Sequence, residues 1–106
     1  MSGIASVYAT FPSDEEARRI GRQLVEERMA ACVNILGPCH SIYRWKGKIE
    51  EADEVAAIFK VAAGQAEILV RRLGELHSYD VPAAVVWPVE ATSENYRLWV
   101  LENSGR

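Results

Sequence analysis

The sequence predicts an α+β fold in which a four-stranded antiparallel sheet carries helices in the order β-α-β-β-α-β, with one more helix at the end. Three observations predict it. Strand-like β-branched and aromatic runs alternate with two amphipathic helical stretches. The middle of the chain holds two long extended runs joined at Lys46-Gly47-Lys48. No Ser/Gly-rich linker, repeat or low-complexity tract divides the 106 residues, so a single domain accounts for them.

The first strand is residues 4–11, Ile-Ala-Ser-Val-Tyr-Ala-Thr-Phe, closed by Pro12. Ser13-Asp-Glu-Glu16 matches a capping box, the serine oxygen taking a free amide and Glu16 reaching back. Ala17, Ile20, Leu24 and Val25 follow at helical spacing, opposite Arg18, Arg19, Arg22, Glu26 and Glu27, which predicts a helix over about 13–29. Residues 31–36 and 41–46 are extended, with a bend or bulge at Gly37-Pro38. Gly47 supplies the positive φ of a tight hairpin turn, and the return strand runs over 49–61. Both arms exceed the usual strand of about 5–6 residues, so the hairpin overhangs the domain.

Gly64-Gln65 opens a second helix with an Ala66, Leu69, Leu73, Leu76 stripe, and 77–80 is a loop. Residues 81–89 form a strand whose Pro82 and Pro88 confine it to a sheet edge or to ladder ends, because each proline removes a donor. Thr92 or Ser93 caps a last helix through Tyr96, Trp99 and Val100. This order is the split βαβ, ferredoxin-like motif, with both crossover helices on one face.

Composition narrows the function. Fifteen acidic against twelve basic residues leave a net charge of −3, with no cationic excess for nucleic acid. The uncharged run at 81–89 falls far short of the roughly 20 residues that a membrane-spanning helix needs. The N-terminus has no basic and apolar leader pattern. If Cys32 and Cys39 share a strand at about 3.3 Å per residue, they lie roughly 20 Å or more apart. That is beyond disulfide reach, and reduced thiols suit the cytoplasm.

The strands do not alternate as a sheet wet on one face should. Residues 55–59 are apolar at every position, and 81–89 carries no charge. Two helices cover one face only, so an apolar patch of this kind predicts a closed homo-oligomer. The overhanging hairpin, with Tyr43 and Trp45, would lie across a neighbour. Coverage of the second face by the terminal helix is the competing expectation.

Ala31-Cys-Val-Asn-Ile35, Ser41-Ile-Tyr-Arg-Trp-Lys-Gly-Lys-Ile49, Phe59-Lys60, Leu76-His-Ser-Tyr-Asp-Val-Pro82 and Tyr96-Arg-Leu-Trp99, taken in order, resemble the CutA-type divalent-cation tolerance proteins. The resemblance covers essentially the whole chain. It implies a ferredoxin-like homotrimer, similar in architecture to PII-type signalling proteins, and a link to tolerance of copper and other divalent metals. It brings no established reaction. It also implies a metal-ligand role for the histidine of the His-x-Tyr-x-x-Pro segment, here His77. Some relatives carry a second histidine where this chain has Leu76, and some a first-strand cysteine where it has Ala9.

Beside His77, Cys39 and His40 offer sulfur and imidazole next to the Gly-Pro bend, although neighbours on a strand point to opposite faces. A soft copper site needs several thiolate or imidazole ligands, so one chain must borrow them across an oligomer. Cys32 reads as core. Lys60 and Tyr79, with Tyr43 and Trp45, are candidates for an intersubunit cleft holding a small anion or a protein partner. Glu54 or Asp53 is the alternative partner of Lys60. There is no HExxH, paired CxxC, phosphate-binding glycine loop or GxSxG, which argues against an enzyme. The expected function is a trimeric metal-response protein, with a PII-like signalling or scaffold module as the alternative.

Overall fold

Seven of the eight residues 4–11, all but Tyr8, lie almost wholly out of water, and the fold is built around them. The computed structural model describes residues 2–105. Its elements are β1 (Ile4–Phe11), α1 (Asp14–Glu26), β2 (Cys32–Trp45), β3 (Lys48–Ala62), α2 (Ala66–Leu76) entered through a short 3-10 turn, β4 (Ala84–Pro88) and α3 (Glu94–Asn103). The sheet order is β2-β3-β1-β4, and every pairing is antiparallel. This is the expected split βαβ order.

Alternate residues of β1 (Ala5, Val7, Ala9, Phe11) meet Ala57, Phe59 and Val61 of β3 under the Ala17, Ile20, Leu24 stripe of α1 and the Ala66, Leu69, Leu73 stripe of α2. Each fully buried large side chain there contributes about 1.5–3 kcal/mol relative to exposure. Glu27 of α1's end and Arg72 of α2 form an ion pair at 2.7 Å that joins the two helices. It holds the Glu27 carboxyl down at about 2.

Several boundaries differ from expectation. The first helix stops at Glu26 rather than near 29, because Arg28 turns left-handed at φ 62. Its guanidinium then donates to the carbonyls of Glu102 and Gly105, tying that corner to the end of α3. Ser13 caps α1 through the Glu16 amide, as expected. The Glu16 carboxylate, however, does not complete the capping box; it accepts from the Ser78 amide at 3.0 Å. The last strand begins at Ala84, after Pro82, and lies at the sheet edge with Pro88 at its end.

The hairpin turn has two residues, Lys46 and Gly47, with φ of 49° and 81°. Positive φ at both central positions matches the right-handed twist of the arms. Beyond Phe11↔Val55, β1 no longer pairs with β3. From there β2 and β3 continue as a two-stranded ribbon roughly 23 Å long at about 3.3 Å per residue. It draws the molecule out to 44 × 25 × 22 Å.

The ribbon's register changes once. Ile35 pairs with Ala57 and Gly37 with Ala56, so Leu36 is bulged out. Before the bulge, even-numbered residues such as Cys32 and Asn34 share the face of Lys60 and Ile58. After it, odd-numbered Cys39, Ser41, Tyr43 and Trp45 take that face. One extra residue thus re-aims the whole distal arm. Helix α3 covers one end of this second face, where Val100, Ile4 and Ala31 form a small cluster with Tyr96 and Leu101. Val85 and Trp87 stay nearly half exposed. The terminal helix therefore covers only part of it.

Candidate functional site

Glu54 is the first polar residue of β3 outside the apolar run, and β1 stops pairing beside it. Its side chain lies on the second face, across from Cys39, and is only 9% exposed. The carboxylate is satisfied by hydroxyls alone: Ser41 Oγ donates to one oxygen at 2.6 Å and the Tyr79 hydroxyl to the other at 2.9 Å. Burial, followed by the bond to Glu54, pushes the Tyr79 phenol up to about 12. Around this group opens a groove of about 620 Å³, walled by Tyr8, Tyr43, Trp45 and Tyr79, with Glu50 and Asp80 also on its lining. Strand β1, the ribbon of β2 and β3, and the loop after α2 all contribute to it.

His77 fixes that loop. Its side chain is fully buried and stacks on Phe11, ring centroids 5.0 Å apart. Nε2 donates to the Thr10 carbonyl at 2.8 Å, and Nδ1 accepts from the Tyr79 amide at 3.1 Å. These partners define a neutral ring with the proton on Nε2. Pairing of β4 with β1 ends at Ala9, so His77 serves the next carbonyl along. The Glu16 carboxylate stands 3.6 Å from Nδ1. Both ring nitrogens are engaged within the fold, and an ion at either would displace a hydrogen bond.

His40 has the opposite setting. It lies on the ribbon's other face, about half exposed, between Asp53 at 2.8 Å from Nδ1 and Glu51 at 2.6 Å from Nε2. Two carboxylates require two N–H donors, so the ring is an imidazolium. The bonds to Glu51 and then Asp53 raise its pKa above the ordinary 6.5. Cys39 faces the other way, towards the groove side, as neighbours on a strand must.

The structure thus brings Tyr43, Trp45 and Tyr79 of the expected cleft together and leaves Lys60 out. Lys60 pairs opposite Ser6 and Cys32, six residues along β3 from Glu54, and neither Glu54 nor Asp53 is its partner. Cys32 Sγ is instead 3.6 Å from the Tyr96 hydroxyl. Glu54, Ser41, Tyr8 and Asp80 line the groove as well, beyond the residues expected for the cleft. The signal for Glu54 is its place beside the apolar run 55–59, two residues from Ala56 and hence on the same face. As for a metal ion, no three His, Cys, Asp or Glu side chains among the described residues are arranged so that they could hold one; Glu51 and Asp53 sit at opposite nitrogens of His40. The donors of a single chain do not fit a closed metal site.

Comparison with known proteins gives a consistent result. Residues 5–103 match the family model for CutA1 divalent ion tolerance protein. The chain is 42% identical over 99 residues to the divalent-cation tolerance protein CutA of Thermus thermophilus, covering 93% of this chain and 96% of that one. It is 43% identical over 98 residues to the protein of the same name from Pyrococcus horikoshii, covering 92% and 95%. The solved Thermus thermophilus structure superposes with a TM-score of 0.92 at 41% identity, over 96% of this chain and 99% of that one.

Proposed function

The chain belongs to the CutA1 divalent ion tolerance family, and from that premise we propose that it acts as a cytoplasmic homotrimer in the response to copper or a similar divalent cation, without catalytic turnover. The observation that carries the assembly is the ribbon. Two strands alone are marginally stable in water, yet this pair extends well past the sheet with Ile42 and Ile49 more than half exposed on one face and Tyr43 and Trp45 on the other. Val85 and Trp87 add apolar surface at the sheet edge. A neighbouring copy supplies the missing packing for both. The two free cysteines fit a reducing compartment. No described helix is long and apolar enough to cross a membrane.

Cation binding, in this reading, takes place on the exposed face of the ribbon: His40 gives up a proton and offers one ring nitrogen beside Glu51 or Asp53, further ligands come from a second copy, and Cys39, on the opposite face, takes no part. His77 keeps its ring for the loop. Native mass spectrometry with a panel of divalent ions tests both parts together. The expected particle has three times the 11.8 kDa chain mass, and His40→Ala loses bound copper that His77→Ala retains. A single-chain particle at micromolar dilution overturns the assembly, and undiminished copper in His40→Ala overturns the ligand.

A second reading, a PII-like receptor for a small molecule, is favoured by the groove. Its volume lies within the roughly 300–1,000 Å³ common for such sites. The lining has no basic group, so it does not suit the small anion expected from the sequence.

A further inference from the structure

Two charged side chains on the second face of β3 lack an ionic partner in their own chain. Lys60 stands half-buried on a strand paired on both sides. Its neighbours across the ladder, Ser6 of β1 and Cys32 of β2, are small and neutral. Among the described residues no carboxylate lies within ion-pair distance of its ammonium. Glu54, at the foot of the ribbon, is buried and held by two hydroxyls, with no cation beside it. A carboxylate has about four lone-pair sites, so roughly half of its accepting capacity is left over. At about 3.3 Å per residue the two Cα atoms lie roughly 20 Å apart along the strand, and the side chains do not meet within one chain.

A neighbouring copy laid over this face raises the stakes for both. Lysine is almost never fully buried unless it is paired, and a carboxylate closed off from water also needs a counter-charge. The groove around Glu54 suits a lysine: its walls include tyrosine and tryptophan rings, its other charged residues are Glu50 and Asp80, and no basic residue lines it. The apolar stem of a lysine packs on such rings, which also attract its ammonium. From these features we infer that Lys60 of each copy enters the groove of the next and pairs with the Glu54 there. Each chain then gives one ammonium and receives one, the head-to-tail relation that closes into a ring. The groove is complete only when a neighbour's lysine fills it. A copy docked in another register strands both charges, so the pair selects one arrangement. The inference rests on the homotrimer reading and deepens it.

The test is a double-mutant cycle read by native mass spectrometry, which gives the subunit count and the rate of subunit exchange between unlabelled and 15N-labelled protein. Lys60→Met keeps the stem and removes no ion pair within its own chain, and Glu54→Gln keeps the shape of the side chain. Each single variant exchanges subunits about tenfold faster or more than the wild type, because each strands the other's charge. The double variant strands neither and exchanges no faster than the faster single. Residues this far apart in one chain act additively, so coupling between them reports contact across copies. Should Glu54→Gln lose its far-ultraviolet dichroism, Glu54→Asp, which withdraws the charge by one methylene, takes its place. Additive effects, as when Lys60 holds a small anion instead, overturn the pair, and so do single variants that exchange like the wild type. Either result in a particle of three chains leaves the homotrimer standing, whereas a single-chain wild type overturns the assembly and the pair together.

Discussion

The His77 imidazole donates to the backbone carbonyl of Thr10, 2.8 Å away and 67 residues earlier. That bond, the stack on Phe11 and the Tyr79 amide bond make the ring a strut between the central strand and the loop after α2. His77→Ala removes a donor and an acceptor and leaves the buried Thr10 carbonyl and the part-buried Tyr79 amide without a partner. The expected loss is about 2–4 kcal/mol in chemical denaturation. The loop should exchange its amide hydrogens faster. Denaturation midpoints within error of the wild type would show that the strut is dispensable.

His40 makes the ribbon sensitive to pH. Its folded pKa lies above 6.5, chiefly through the bond to Glu51 and then that to Asp53. A raised histidine pKa stabilises the folded state fully below the unfolded value and loses that contribution as pH rises through the folded value. Ribbon amides between residues 38 and 54 should therefore lose intrinsic exchange protection on going from pH 6 to above the folded His40 pKa, as read by hydrogen exchange corrected for its chemical rate. In His40→Gln the pH dependence should vanish. A His40 titration seen by NMR at or below 6.5 would contradict the geometry.

Tyr79→Phe removes one of two donors to the buried Glu54 carboxylate. The expected destabilisation is about 1–2 kcal/mol in urea. The same bond, after burial, accounts for a phenol at about 12. Tyr79 should therefore still hold its proton at a pH where a free phenol, near 10, has lost it. Since the unfolded phenol titrates near 10, the contribution is present below pH 10 and is lost between 10 and 12. Ultraviolet titration of wild type and Tyr79→Phe reads the missing step.

Deleting Leu36 tests the bulge. Leu36 is the unpaired residue, so without it Gly37 follows Ile35 directly against Ala56, the ladder becomes regular, and Cys39, Ser41, Tyr43 and Trp45 keep their partners and their face. The expected signature is unchanged cross-strand nuclear Overhauser contacts of Cys39 with Glu54 and of Tyr43 with Glu50. New contacts displaced by one position, with Ile42 or Arg44 opposite Glu50, would show that the distal register depends on Leu36.

Much of this protein was legible residue by residue. Local rules fixed the element order: capping at Ser13, the 3.6-residue stripes of the first two helices, the Gly47 turn and the prolines that keep β4 at the edge. Those signals act within a few residues, and neighbours along the chain are enough to express them. The Gly37-Pro38 irregularity was visible too, but its consequence was not. Whether Tyr43 and Trp45 share a face with Glu54 depends on a one-residue register between strands, which no window along one strand contains. The roles of the two histidines were likewise decided in three dimensions. His77 is closed by a carbonyl 67 positions away, while His40 is held open between acids from the opposite strand. Periodicity and turn chemistry determined what the elements are. Only packing, which brings distant polar groups within hydrogen-bond reach, determined which of them meet.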